Sequence, residues 1–228
     1  MSPPCYTCGA IRMTNELARF EIEGHGPTLD GRQVDRPRLL VRLDEAVQRG
    51  ITIVSAPAGF GKSTLIAQWA AQASMPVSWL CLEARHGSPP AFLKSLVAAL
   101  HRMDARLDLD LEGVLAFQAD VELERAIANL VLAPLTSLSA PACLVLDDYH
   151  LVQGDAVHRA LAWLLMHQPE NLRVIIASRG TPPIKGVARL RSQGRVTVLD
   201  DDDLRFSGDE VLMFAGMGAF GRDTIELL

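Results

Sequence analysis

The sequence predicts an α/β fold in which a mainly parallel sheet of five strands lies between two layers of helices. Short runs of β-branched and apolar residues alternate along the chain with stretches whose apolar residues recur every three or four positions. Apolar residues make up 49% of the 228 residues and charged residues 21%, so the chain can build a sizeable core. Polar motifs follow three of the strands directly. Because ligands of such sheets bind beyond the carboxyl ends of the strands, we expect these motifs to form one site.

The predicted elements follow one another in a regular order. Pro37 suits the first turn of a helix whose apolar residues continue to Val47, and Gly50 ends that helix. Strands are predicted at 51–55, 77–82, 143–146 and 173–177, with a weaker one at 196–199. Helices are predicted after the first strand, near 90–100, over 121–138 and 155–167, and briefly at 187–191. The charged stretch 104–113 is predicted to be a loop.

Composition divides the chain into three regions. Residues 1–34 mix Pro, Gly and charged residues without a sustained period, so we expect a loosely ordered extension with at most a short helix near 15–20. Residues 35–208 carry the alternating pattern and form the predicted domain. Residues 209–228 are predicted to be a C-terminal tail.

The most informative stretch joins the first strand to the helix that follows it. It ends in Gly-Lys-Ser at the spacing of a phosphate-binding P-loop. Gly59 and Gly61 allow backbone N–H groups to turn toward an anion, and the helix start adds unpaired N–H groups. Lys62 would reach the β- and γ-phosphates, and the Ser63 hydroxyl would ligate Mg²⁺. The predicted nucleotide-binding loop consists of Ala56, Pro57, Ala58, Gly59, Phe60, Gly61, Lys62, Ser63 and Thr64, with Ala56 where the pattern usually has Gly.

Two further motifs follow predicted strands. Four apolar residues precede Asp147 and Asp148, the arrangement of a Walker B motif. Asp147 would hold Mg²⁺, and Asp148 would orient an attacking water. Arg179 follows the fully apolar fourth strand, from which it would contact a γ-phosphate. A solvated turn for the acids and a structural ion pair for Arg179 are the alternatives, and for His150 a structural role is the preferred interpretation.

Composition also excludes several classes of function. A net charge of −5 argues against binding of nucleic acid by this segment, and no apolar run approaches the roughly 20 residues of a membrane span. No secretory signal is visible, so a cytoplasmic location is expected. Cys5 and Cys8 have half of a zinc site's spacing without a second half, and Cys81 and Cys143 are predicted to be buried thiols.

The set of motifs resembles a known family. Ser-Ala-Pro-Ala-Gly-Phe-Gly-Lys-Ser-Thr-Leu at 55–65, Leu-Val-Leu-Asp-Asp-Tyr-His at 144–150 and Asp-Leu-Arg-Phe at 203–206 occur in this order, with matching shorter motifs between them. Together they resemble the ATPase module of large LuxR-type, MalT-like transcription regulators, which are STAND-class P-loop NTPases. The resemblance covers about residues 35–208 and fades after Phe206.

The resemblance implies a molecular switch with ATP or ADP and Mg²⁺ as cofactors. It implies the sheet order 5-1-4-3-2, which would bring Arg179 beside the phosphates. It also places Arg36, Pro37 and Arg38 near the adenine. ATP would favour a self-associating state and hydrolysis would reset it. DNA would be bound only through domains outside this sequence. The chain would then be a truncated gene product, a fragment or a stand-alone relic.

Two other functions remain open at this stage. A small-molecule kinase would need an acceptor pocket and a lid, to which Arg189, Arg191 and Arg195 could belong. The third possibility is an interaction fragment that binds nucleotide weakly or not at all.

Overall fold

A parallel five-stranded sheet forms the centre of the computed structural model, which describes residues 26–29, 33–118 and 123–215. The strands are β1 (Ile51–Ser55), β2 (Val77–Cys81), β3 (Ala142–Asp147), β4 (Leu172–Ser178) and β5 (Val196–Leu199). Their order is β2-β3-β4-β1-β5, and every pairing is parallel. This confirms the predicted fold class and the order 5-1-4-3-2, written from the other edge.

Helices cover both faces of this sheet. They are α1 (Pro37–Gln48), α2 (Lys62–Gln72), α3 (Pro89–Met103), α4 (Leu111–Ala116), α5 (Leu123–Ile127), α6 (Ala133–Leu135), α7 (Asp155–His167), α8 (Val187–Ser192), α9 (Asp201–Leu204) and α10 (Gly208–Phe214). Short 3₁₀ turns lie at Ala84–Gly87 and Tyr149–Leu151. A π-helical turn, Ala128–Leu132, joins α5 to α6.

The alternation of side chains along the strands divides the core into two layers. Cys143 and Val145 of β3 pack with α1 and α2, whereas Leu144 and Leu146 pack with α3 and α7 on the opposite face. Successive side chains of a strand point to opposite faces, so an apolar strand buried on both sides is the pattern of a covered parallel sheet.

The structure departs from the predicted elements in two places. The stretch 104–113 was predicted to be a loop, but α4 begins at Leu111, because the Asp110 carboxylate caps that helix by accepting a hydrogen bond from Gly113 N. The helix predicted over 121–138 is observed from Leu123 to Leu135 and contains the π-helical turn. Residues 121 and 122 lie outside the described residues.

Two loops at the carboxyl edge of the sheet approach each other very closely. A Cβ atom on Gly154 would lie 2.5 Å from Gly87 O, and one on Gly87 would lie 2.4 Å from Gln153 O. Neither glycine is among those with a left-handed φ, and Gly154 is extended with a φ of 178°, so the close approach of the two backbones is what requires glycine. This contact holds the loop after β3 against the loop after β2.

The described cysteines, Cys81 and Cys143, lie in or beside the core. Cys143 is buried and Cys81 is partly buried, and burial raises the pKa of both thiols, that of Cys81 to about 11. Such thiols stay protonated at neutral pH and are poor nucleophiles. Cys5 and Cys8, like the helix predicted near 15–20, lie outside the described residues. No described helix is both long enough and apolar enough to cross a membrane.

Candidate functional site

The loop from β1 to α2 has the backbone conformation that its glycines predict. Gly59 and Gly61 have φ values of 86° and 72°, a left-handed conformation that other residues rarely adopt. A Cβ atom on either would meet nothing within 4 Å, so the backbone conformation and not crowding requires glycine. Ala56 is buried and is not among the residues with positive φ, which explains why alanine is tolerated there.

Lys62 begins α2, and its side chain turns back over the loop. Its ammonium donates hydrogen bonds to Ala56 O at 2.7 Å and Pro57 O at 2.9 Å, and the residue is only 8% exposed. Burial lowers the pKa of Lys62, while the nearby carboxylates of Asp147 and Asp148 oppose that shift. The ammonium therefore lies against the loop, and the acids at the end of β3 are near enough to favour its charged form.

Ser63 and Asp147 meet across the carboxyl edge of the sheet. The Ser63 hydroxyl donates to Asp147 Oδ1 at 3.1 Å, and Asp148 N donates to the same oxygen at 2.9 Å. Asp147 is 4% exposed; burial raises its pKa, and the hydrogen bond from Ser63 opposes this. Mg²⁺ prefers oxygen ligands and keeps several waters, so a hydroxyl and one carboxylate on adjoining elements fit this ion. No group of three or more His, Cys, Asp or Glu side chains that could hold a metal ion occurs within the described ranges.

Asp148 and Arg179 flank this pair. Asp148 has a φ of 54°, making it the one described non-glycine residue with positive φ, and its side chain is half exposed. Strained conformations of this kind are often found at functional sites. Arg179 is exposed at the end of β4, and its charge contributes to lowering the pKa of Lys62. Because β4 lies between β1 and β3, the sheet places Arg179 between the loop and the acids.

His150 lies beside the same group of charges. Its Nδ1 is 3.8 Å from Asp148 Oδ1, and within the described part of the chain neither ring nitrogen has a hydrogen-bond partner. Burial and the charge of Arg179 lower the pKa of His150. The structure therefore places this residue at the edge of the site.

A cavity of about 460 Å³ opens beside the loop. Arg36 forms part of its wall, whereas Pro37 lines a separate depression with Asp44 and Trp69. Arg38 is partly exposed on α1 and bonds to the carbonyl oxygens of Asp203 and Arg205. The residues lining the cavity are Gln33, Val34, Arg36, Gly59, Phe60, Gly61, Thr64, Leu65, Gln68, Leu204, Arg205, Phe206 and Phe214.

An ion pair fixes Arg36 in this wall. Its Nη2 lies 3.1 Å from Glu210 Oε2 and also donates to Leu204 O and Arg205 O, at 2.7 and 2.8 Å. The guanidinium carbon lies 4.7 Å from the centre of the Phe206 ring. Burial opposes ionisation of Glu210, but hydrogen bonds from Ser207 N, Arg36 and Arg38 outweigh it and lower the pKa of this carboxyl.

The sequence analysis did not predict that Gln68 and Phe214 line the cavity or that Glu210 pairs with Arg36. One signal was present for Glu210, since Ser207 and Glu210 have the spacing of a capping box, and the structure shows both of its hydrogen bonds. That pattern predicts the start of α10 at the end of the predicted domain, although the rest of this helix lies in the stretch interpreted as a tail. No local pattern indicates that Gln68 lies in the wall of a cavity.

The chain is similar in sequence to known transcriptional regulators. No family model matches the chain. The chain is 38% identical over 181 residues to the HTH-type transcriptional regulator MalT of Yersinia enterocolitica and 36% identical to that of Serratia proteamaculans. Each match covers 79% of this chain, but the chain spans only about a fifth (20%) of the length of these relatives.

A solved structure shares the fold. It is the signal transduction ATPase with numerous domains (STAND) protein with a tetratricopeptide repeat sensor from Pyrococcus horikoshii, with a TM-score of 0.60 and 19% identity. The alignment covers 89% of this chain and 28% of that chain. The resemblance predicted from the motifs is therefore confirmed: this chain is similar to a section of the MalT regulators and has the fold of the STAND protein.

Proposed function

We propose that the chain is the ATP-binding, slowly hydrolysing switch domain of a MalT-like transcription regulator. The observation that carries this proposal is the hydrogen bond between Ser63 and Asp147, with the Lys62 ammonium beside it. These side chains begin α2 and end β3, two elements that are far apart in the sequence. Their convergence on one edge matches what a magnesium–triphosphate complex requires.

Each residue has a defined role in this proposal. Lys62 exchanges its contacts with the loop carbonyls for phosphate oxygens, which are stronger acceptors because they are charged. Ser63 and Asp147 hold Mg²⁺, which would neutralise charge on the phosphates, with Asp147 acting mostly through water. Asp148 orients the attacking water. Arg179 contacts the γ-phosphate and distinguishes ATP from ADP.

Arg36 belongs to the same proposal through the cavity beside the loop. Gly59 and Gly61 line both the loop and the cavity, so a nucleotide whose phosphates lie in the loop extends its nucleoside into this space. The volume of about 460 Å³ falls in the usual range for small-ligand pockets, roughly 300–1,000 Å³. Arg36 then lies near the base. Pro37 and Arg38, which follow it on α1, support Arg36 and do not contact the base.

Part of this proposal concerns longer proteins similar to this chain. The MalT relatives are named as HTH-type transcriptional regulators, and the chain matches only a fifth (20%) of their length. We propose that DNA binding belongs to the part of such proteins that this chain does not match. Self-association of the ATP-bound form is part of the same proposal.

The kinase alternative loses support from the position of Arg195. Its guanidinium bonds to Leu165 O and Met166 O, and its backbone oxygen accepts from Ile51 N at the start of β1. That end of the sheet is opposite the loop, so Arg195 does not act as a lid over the phosphates. Arg191 is exposed on α8.

Calorimetry with MgATP and MgADP tests the proposal. Lys62→Ala should abolish triphosphate binding, because it removes the ammonium that lies against the loop and with it the charge-assisted contact to phosphate. Lys94→Ala is the matched control, since it removes the same charge from α3 on the opposite face of the sheet. Unchanged ATP affinity in Lys62→Ala would refute the assignment.

A further inference from the structure

The cavity beside the loop is largely apolar and partly aromatic. Phe206 and Phe214 stack with their ring centres 5.8 Å apart and an interplanar angle of 25°, and both line the cavity. Phe60 contributes a third ring, and Leu65 and Leu204 contribute aliphatic surface. A flat, aromatic ligand fits such walls because ring stacking and burial of apolar area both stabilise it.

Two polar atoms interrupt these apolar walls. Gln68 Nε2 donates to Val34 O at 3.1 Å, which fixes the amide orientation and leaves Oε1 as an acceptor. Gln68 Oε1 is buried and has no hydrogen-bond partner within the described part of the chain. The same is true of Arg36 Nε, a donor on a residue that is 5% exposed. Buried polar atoms normally have partners, so one orphaned acceptor and one orphaned donor at a single cavity point to a ligand that supplies both.

We propose that Gln68 and Arg36 read the edge of an adenine base, and that Gln68 determines the specificity of the site. This inference rests on the proposed function, because the loop must hold the phosphates for the base to enter the cavity. Adenine presents an amino donor beside the acceptor N7, the complement of Gln68 Oε1 and Arg36 Nε. Hypoxanthine and guanine carry a carbonyl oxygen in place of that amino group and would face Gln68 with a second acceptor.

Glu210 fixes the position of Arg36, one of the two residues proposed to contact the base. Its carboxylate and the carbonyl oxygens of Leu204 and Arg205 all accept from Arg36 Nη2, which leaves Nε as the donor without a partner. A side chain held in this way presents its free N–H without losing further conformational freedom on binding. Glu210 is therefore a positioning residue for the base, and α10 is an integral part of the site.

Binding of MgADP, MgIDP and magnesium tripolyphosphate to the full chain tests the proposal. The wild-type protein should bind MgADP at least about tenfold more tightly than MgIDP, since a site built for a hydrogen bond rejects the analogue that cannot make it. In Gln68→Met, which keeps the length of the side chain but removes the acceptor, this ratio should fall to about threefold or less. Tripolyphosphate lacks a base, so its affinity should be unchanged.

Two further variants complete the test. Gln72→Met is the matched control, because Gln72 lies one turn further along α2 and is exposed; the wild-type ratio should persist there. Phe206→Leu should weaken MgADP and MgIDP alike and spare tripolyphosphate. If Gln68→Met does not fold, Phe206→Leu decides the question, and unchanged MgADP affinity in that variant overturns the base site.

The results separate this inference from the proposed function. Equal affinity of the wild-type protein for MgADP and MgIDP, or an unchanged ratio in Gln68→Met, overturns the base-reading role while leaving the phosphate site intact. If Lys62→Ala binds tripolyphosphate like the wild-type protein, the phosphate site itself is refuted and the base site with it.

Discussion

Replacement of Glu210 by alanine is the most informative test of how α10 is attached. The side chains of Arg36 and Glu210 are only 6% and 4% exposed, and the atoms that pair are 3.1 Å apart. Removing one partner of a buried ion pair costs roughly 3–5 kcal/mol, because the other charge is left uncompensated. Arg36 keeps two carbonyl acceptors in the variant, so we expect the lower end, a loss of about 3 kcal/mol in the free energy of unfolding.

This loss should be visible both in thermal unfolding and in its dependence on pH. For a protein of this size, about 3 kcal/mol corresponds to a fall of roughly 6–12 °C in Tm. The pKa of Glu210 is lowered in the fold from its ordinary value of 4.5. Its contribution is therefore fully present above pH 4.5 and disappears as the pH falls through the lower, folded-state pKa. The stability difference between wild type and variant should shrink accordingly in acid.

The neighbouring Asp209 provides the control. It lies on the same helix, carries the same charge and is exposed, so Asp209→Ala should cost less than about 1 kcal/mol. Urea unfolding followed by circular dichroism measures both variants. A cost below about 1 kcal/mol for Glu210→Ala, or a cost that persists undiminished at low pH, would refute the reasoning about the buried pair.

Two further predictions concern the phosphate end of the site. Asp147→Asn should weaken MgATP binding and turnover while leaving metal-free nucleotide binding largely intact, because in the proposed site it removes the charge that would hold Mg²⁺ but keeps the shape of the side chain. Equal losses with and without Mg²⁺ in calorimetry would contradict this. Arg179→Ala should slow hydrolysis and reduce the preference between ATP and ADP, because it removes the one exposed guanidinium at the end of β4. Wild-type phosphate release and an unchanged ATP/ADP affinity ratio in that variant would show that Arg179 has no sensing role.

The strands and the phosphate loop were predictable because their signals are local. A short run of mainly β-branched residues, followed by a loop with glycines and a helix, specifies the conformation of 51–72 almost residue by residue. The capping box at Ser207 is equally local, and it was present in the sequence even though the stretch was interpreted as a tail. In contrast, the start of α4 at Leu111 depends on a single capping contact within a charged stretch, where competing local preferences are nearly equal in energy.

The sequence by itself determined the three-layer fold, the order of its elements and the polar groups that meet at the carboxyl edge of the sheet. Periodicity and loop chemistry act over a few residues, so they can be recognised without knowing what lies opposite. Only the tertiary structure decided that Arg36 meets Glu210 across 174 positions of sequence and that Gln68 and Phe214 line one cavity. Such contacts depend on how the helices dock on the sheet, and no short-range pattern encodes which side chains will then share a wall.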